Sequence, residues 1–238
     1  MKLLRRLSTL GYGSRREVQG MLRRGRVTDR SGRALGVRDI DDGTDVFVDG
    51  QPMDPRPTVV LVLNKPRGLE TTRANAGPTV YAPLPPRFRL RSPTLAPVGR
   101  LDKDTSGLLL FTDDGTLLHR LTHPRHHVGK TYAFETARPI APDTAERFAS
   151  GQLQLRGDDT PLRPAQLVQT GPRTGRLTIH EGRYHQVRRM LAAVGNHVES
   201  LHRVQVGPLS LNDLAEGAWR YLTAAEQATL RAAVGLPT

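Results

Sequence analysis

The chain has 238 residues, no cysteine, a formal charge of +12 and a pI near 11.0. That length suffices for one large or two small domains with a real core. The composition excludes disulfides and thiolate metal sites, and no apolar run is long enough to span a bilayer. The opening MKLLRRLSTLGYGSRRE is interrupted by arginines, unlike a secretory leader. A cytoplasmic protein away from the membrane is expected. Its charge favours a polyanionic partner, with RNA or DNA ahead of lipid.

The charge is unevenly placed. Residues 1–30 hold nine basic groups, opposed only by Glu17 and Asp29. A general preference for arginine would explain why only four lysines occur, but not this clustering. In chain order, Leu3, Leu4, Leu7 and Leu10 recur at helical spacing until Gly11. Ser14 and Glu17 form a capping box that predicts a second helix. Val18, Met21 and Leu22 make its apolar stripe, and Gly25 stops it. Arg15, Arg16, Arg23 and Arg24 lie mostly off that stripe. Short strands are expected next, with DVFVDG at 45–50 the clearest. The three prolines of PMDPRPT cannot donate to a sheet and predict a linker, taken as 54–58. This divides the chain into units 1–53 and 59–238.

Beyond the linker the pattern is α+β. Strands are predicted at 58–63, 107–112, 130–136, 164–170, 175–180 and 203–211, and helices at 115–122, 141–150, 183–194 and 223–233. The last helix opens on a second capping box, Thr223 and Glu226. Strands outnumber helices without alternating singly with them. A mainly antiparallel sheet with helices on one side is therefore expected. Residues 72–98 show little periodicity, as functional or mobile segments do.

Three stretches hold residues able to do chemistry. In GRLDKDTSGLLLFTDDG, 99–115, a polar loop enters an apolar strand, and Asp102 lies between Arg100 and Lys103. Neighbouring cations keep such a carboxylate ionised, ready to act as a nucleophile or base. Alone, this signal does not separate Asp102 from an ordinary turn residue. Asp104 is expected to bond within the loop, and Asp113–Asp114–Gly115 to form the turn into a helix. In HPRHHVGKTYAFE, 123–135, three histidines crowd together, but the local basic charge opposes a metal and no metal site is expected. Lys130 and Tyr132 alternate on a predicted strand and share a face. A tyrosine beside a cation there can stack on a base or simply be half-buried. In EGRYHQVRRMLAAVGNHV, 181–198, Arg183, Arg188 and Arg189 sit at the start of an amphipathic helix. Cations there oppose the helix dipole and need an anion, either phosphate or the loop carboxylate.

In order, these stretches resemble the pseudouridine synthases, and NKPRG at 64–68 is similar to that family's first strand and loop. Residues 1–53, with SRRE, GRV at 25–27 and DVFVDG, resemble the S4 RNA-binding domain, which narrows the likeness to the subfamily carrying one. HPRHH, EGRYHQV and LHR resemble most its members acting on small-subunit ribosomal RNA, since large-subunit relatives usually differ at Tyr184–His185. The resemblance implies isomerisation of a flipped-out uridine in 16S rRNA, without cofactor or metal. It implies that Asp102 attacks the ribose or abstracts a sugar proton. Tyr132 would pack on the uracil and Arg188, or its competitor Arg189, would pair with Asp102. Arg100, Lys103, Lys130, Arg183 and His185 would bind RNA or order the loop. Arg15, Arg16, Arg23 and Arg24 would grip structured rRNA. The partner would be rRNA or an assembling ribosomal particle, and the protein a monomer.

Three other readings are open at this level. They are a large-subunit rRNA target, a non-catalytic rRNA-binding assembly factor, and a DNA-binding repressor that only the net charge supports.

Overall fold

The structure, a computed structural model, describes residues 1–40, 45–72 and 77–237. In chain order its elements are α1 (Leu3–Thr9), α2 (Arg15–Arg23), β1 (Val27–Asp29), β2 (Val46–Val48), β3 (Gln51–Pro52), β4 (Val60–Lys65), β5 (Ala96–Pro97), β6 (Ser106–Thr112), α3 (Gly115–Thr122), β7 (Lys130–Thr136), α4 (Thr144–Ala149), β8 (Gln166–Gln169), β9 (Thr174–Ile179), α5 (Gln186–Ala193), β10 (Val198–Val206), β11 (Leu209–Ser210), β12 (Trp219–Tyr221) and α6 (Ala224–Ala232). Residues 41–44 of the short-strand region, 73–76 of the aperiodic segment and Thr238 lie outside the described residues. Among the described residues, no helix is long and apolar enough to cross a membrane.

The N-terminal elements share a core of their own. Leu3 and Leu7 of α1 meet Val18, Met21 and Leu22 of α2 over the antiparallel sheet β1-β2-β3. The α2 start is closed reciprocally: the Ser14 amide donates to Glu17 Oε2 at 2.7 Å, and the Glu17 amide donates to Ser14 Oγ at 3.3 Å.

The large sheet runs β12-β4-β6-β10-β7-β9-β8, with β5 on β6 and β11 on β10. All its pairings are antiparallel except β6 with β10, where His202 faces Ser106 and Arg203 faces Gly107. The central strands are buried on both faces. Leu61, Leu63, Leu109 and Phe111 point into one core, and Val60, Val62, Leu108 and Leu110 into another. Such continuous apolar runs need a cover on each side. Phe148 of α4, with Val187, Met190 and Leu191 of α5, covers the first face, and Leu117 and Leu121 of α3, with Leu230 of α6, cover the second. The expectation of helices on one side is therefore corrected: the strands are too uniformly apolar to leave a face uncovered.

The aperiodic segment also packs. Val80, Tyr81, Leu84, Phe88 and Leu95 are buried in the first core. At its end, Arg87 donates to both Asp54 carboxylate oxygens (2.7 and 2.9 Å). Arg91 lies 3.8 Å from Asp54 and donates to Asp113 at 3.2 Å. Asp113 also accepts from the Val59 amide at 2.7 Å. Asp113 is thus a buried ion-pair partner, whereas Asp114 caps α3 by accepting from the Thr116 and Leu117 amides.

Candidate active site

The loop bearing Asp102 is built from beneath. Gly99 has φ +70°, a conformation a side chain would strain. The Thr105 amide donates to the Asp102 carbonyl at 3.1 Å, and Thr71 Oγ1 donates to the Leu101 carbonyl at 2.7 Å. The Lys65 ammonium, at the end of β4, donates to the carbonyls of Pro66 (2.9 Å), Lys103 (3.3 Å) and Thr105 (2.8 Å). Its side chain is fully buried, and burial pulls its pKa down to about 8 against the attraction of Asp102 and Asp104.

Asp102 faces a cleft of about 710 Å³ that is also lined by Arg100, Lys103, Lys130, Tyr132, Arg183, His185 and Arg203. Its side chain is about one-third exposed, open to a substrate but not adrift in solvent. Lys130 and Tyr132 share the face of β7 that lines this cleft. Burial, followed by the charge of Arg203, lowers the Lys130 pKa. Tyr132 is largely buried, with the Arg203 guanidinium 6.0 Å from its ring centre and Arg203 Nη1 3.5 Å from its hydroxyl. Arg203 is buried too, donating through Nε to the Leu108 carbonyl at 2.8 Å. The cleft floor is therefore an aromatic ring beside a fixed cation, with a carboxylate on the loop above.

The arginines of the α5 region do not pair with Asp102, and the expectation that Arg188 or Arg189 would do so is corrected. Helix α5 begins at Gln186, because His185 sits in the left-handed region at φ 47°. The side chain that reaches Asp102 is His185, with Nε2 3.4 Å from Oδ1. Arg188 donates instead to the Asp104 and Val198 carbonyls, both at 3.2 Å, and so ties α5 to the loop that carries Asp102. Arg189 and Arg183 converge on Asp158, at 2.7 and 2.9 Å. Hydrogen bonds from Arg189 first, then Arg183, hold the Asp158 carboxyl below its usual range. Arg183 also donates to Glu181 and to the Thr160 and Pro161 carbonyls. The anion is thus supplied within the fold for Arg183 and Arg189, whereas Arg188 meets only carbonyl oxygens.

Lys103 lies 3.6 Å from Glu70, and both are half-exposed. Arg15, Arg16, Arg23 and Arg24 are all exposed on α2 or at its end, with no carboxylate partner among the described residues. The rings of His119, His123 and His126 stand 5.0 and 6.1 Å apart in sequence order. Among the described residues, no group of histidines and carboxylates is arranged to hold a metal.

Neither Lys65 nor Arg203 stands out in the sequence as a site residue, although each leaves a trace there. Lys65 ends a strand otherwise apolar from Val60 to Leu63, and Arg203 falls two residues after Leu201, in phase with the buried face of β10. A charge in the inward register of a strand is the signal for each.

An α+β sheet thus carries a loop carboxylate and a buried Tyr–Arg pair on the lining of one basic cleft. The family described as RNA pseudouridylate synthase matches residues 59–193. The chain belongs to that family and is an RNA pseudouridine synthase, an isomerase. It is 43% identical over 228 residues to the ribosomal small subunit pseudouridine synthase A of Yersinia pestis, covering 92% of this chain and 93% of that protein. The protein of the same name from Escherichia coli K12 is 46% identical over 194 residues, 78% of this chain and 80% of that one. A crystal structure of a pseudouridylate synthase matches with a TM-score of 0.68 at 35% identity, covering 97% of this chain and 99% of that one.

Proposed function

We propose that this protein converts one uridine of small-subunit ribosomal RNA, of the uridine 516 type, to pseudouridine. The observation that carries the mechanism is Asp102, one-third exposed in a basic cleft above Tyr132 and Arg203. The likeness to two small-subunit enzymes supports the choice of RNA. The target nucleotide leaves its stack, at a cost of a few kcal/mol, and its uracil packs on Tyr132. Asp102 acts on the ribose, and the bond from C1′ to N1 breaks. The uracil turns and C5 bonds to C1′. C5 then gives up its proton while N1 ends up bearing one. Product and substrate have the same atoms, so the reaction calls for no oxidant, hydride carrier or phosphoryl donor.

Arg188 acts by holding the Asp104 carbonyl, which fixes the loop, and His185 orients the Asp102 carboxylate. Arg100, Lys103 and Lys130 meet phosphate, while Arg183 and Arg189 shape the wall through Asp158. Residues 1–53 serve as an S4-like RNA-binding domain, with Arg15, Arg16, Arg23 and Arg24 as its phosphate grip, 54–58 as the connection and 59–238 as the catalytic domain. The protein acts as a monomer in the cytoplasm, on rRNA or an assembling particle.

The test maps pseudouridine in both ribosomal RNAs of a strain lacking the protein, restored with wild type or with Asp102→Asn. Wild type should restore a small-subunit site, and purified Asp102→Asn should bind the RNA with turnover lowered at least about 1,000-fold. A site lost only from 23S rRNA would reject the small-subunit target. Normal turnover by Asp102→Asn would reject the mechanism.

A further inference from the structure

Tyr184 is the most exposed large hydrophobic side chain among the described residues, at 76%. Its backbone is nevertheless held firmly. Arg189 donates to the Tyr184 carbonyl at 3.3 Å. The preceding Arg183 is fastened through its side chain to Asp158, Glu181, Thr160 and Pro161, and its amide donates to Gln186 Oε1 at 2.8 Å. The tyrosine ring lies flat on His185, with centroids 3.9 Å apart and planes 14° apart. His185 in turn reaches Asp102 at 3.4 Å. Carboxylate, imidazole and phenol therefore form a column at the cleft mouth, and the outer face of the last ring is open to solvent.

We infer that the open face of Tyr184 is a stacking subsite for an unpaired nucleobase next to the target uridine. This rests on the reading of the cleft as the uridine site. An aromatic ring offered to water on an anchored backbone loses little conformational freedom when a base settles on it, which favours binding. Stacking needs only a π-face, so the subsite accepts any base and selects for strand conformation. A flipped target with a splayed neighbour fits, whereas a neighbour locked in a duplex cannot reach the ring. Tyr184 is thus a substrate-binding residue, one ring beyond the residue that touches Asp102.

The test has two arms. In the first, short single-stranded ribo-oligonucleotides carry one uridine flanked on both sides by 2-aminopurine, whose fluorescence is quenched by stacking. Wild type and Tyr184→Phe should quench it, and Tyr184→Ala should not. Equal quenching by the alanine variant, with an unchanged circular dichroism spectrum, overturns the subsite. This arm needs no turnover, so it decides the matter even if the protein converts no uridine, an outcome that would sink the parent reading alone. In the second, kcat/KM is measured on a small-subunit rRNA transcript and on versions with an abasic nucleotide at either neighbour. Removing the neighbouring base should cost wild type about 10-fold and Tyr184→Ala almost nothing further. Equal losses in the two proteins would again overturn it.

Discussion

An ammonium taken out of water costs several kcal/mol, and hydrogen bonds to charged groups return roughly 1.5–3 kcal/mol each. Lys65, fully buried with three carbonyl acceptors, is close to balance on that reckoning. Its consequence lies in geometry, since two of the three carbonyls, those of Lys103 and Thr105, belong to the loop that carries Asp102. Lys65→Met leaves those carbonyls without their donor, so it should cost about 1–3 kcal/mol of stability and lower kcat about 100-fold, as misplacing a reacting group does. A loss of stability with kcat retained would contradict this. The pH dependence follows from the same burial. The folded pKa, near 8, lies below the ordinary 10.5, so the unfolded chain binds more protons between those values. The group's contribution to stability thus rises with pH across that window. Over the same range kcat should fall, because a neutral amine has two N–H groups for three acceptors. A kcat profile from pH 7 to 10 should show this descending limb in wild type and lack it in Lys65→Met. At this scale the loop alone leaves Asp102 indistinguishable from a turn residue, and only the ordered company of the later stretches singles it out as a candidate, which the structure places on the cleft lining. The sequence hides Lys65 and Arg203, because a charge inside an apolar strand reads as an interruption until its partners, far along the chain, are known.

Among the elements, the parallel pairing of β6 with β10 brings two strands so close that Gly107 has no room for a side chain. At φ +107°, an added methyl would run into the Arg203 backbone. Gly107→Ala should cost about 1–3 kcal/mol and displace Arg203 from Tyr132, lowering activity as well as Tm. Calorimetry showing wild-type stability would refute the close approach. At the other end, Glu226 caps α6 and accepts from both Arg220 Nη atoms at 2.7 Å, joining the helix to β12. The hydrogen bonds from Arg220 are the main reason its carboxyl falls to about 2 from an ordinary 4.5. Its contribution is complete above pH 4.5 and is lost as pH falls toward 2. Urea melts should put Glu226→Ala about 1 kcal/mol below wild type at pH 7, with the gap closing in acid. This capping box, like the one at Ser14, was legible because a cap is local chemistry. The predicted helix 183–194 starts late, at Gln186, because nothing in the sequence announces a left-handed His185. The strand predicted at 203–211 begins at Val198 and turns at Gly207 into β11, and its early residues, Glu199 and Ser200, mask the strand pattern. At three residues, β12 is too short for any period to be read, and only its place beside β4 makes it a strand.

Across the whole molecule, the N-terminal elements are fastened to the large sheet by a balanced buried network. Asp54, Arg91 and Asp113 have side chains no more than 4% exposed, and the Ser92 amide donates to the Thr9 carbonyl at 2.9 Å. Asp54→Asn leaves buried arginine charge short of its partner, and should cost about 3 kcal/mol. It should also speed proteolytic cleavage near residues 52–58. An unaltered digestion pattern would show that the two parts are held otherwise. That network joins residues that look like linker, aperiodic loop and turn, so its existence could not be read from any of them separately.

The long reach of the pairings also sets an order of events. The cleft floor closes through Arg203 and Leu108, 95 residues apart, and Asn64 on β4 bonds the Leu214 carbonyl, 150 residues on. A chain synthesised from its N-terminus completes its first helices and their small sheet long before either contact exists. While translation is under way, the arginine-rich end is exposed without a finished cleft behind it. The lining of the cleft is complete only when β10 has been made, so a chain stopped short of β10 carries the basic surface but lacks Arg203 and Val206 of the cleft.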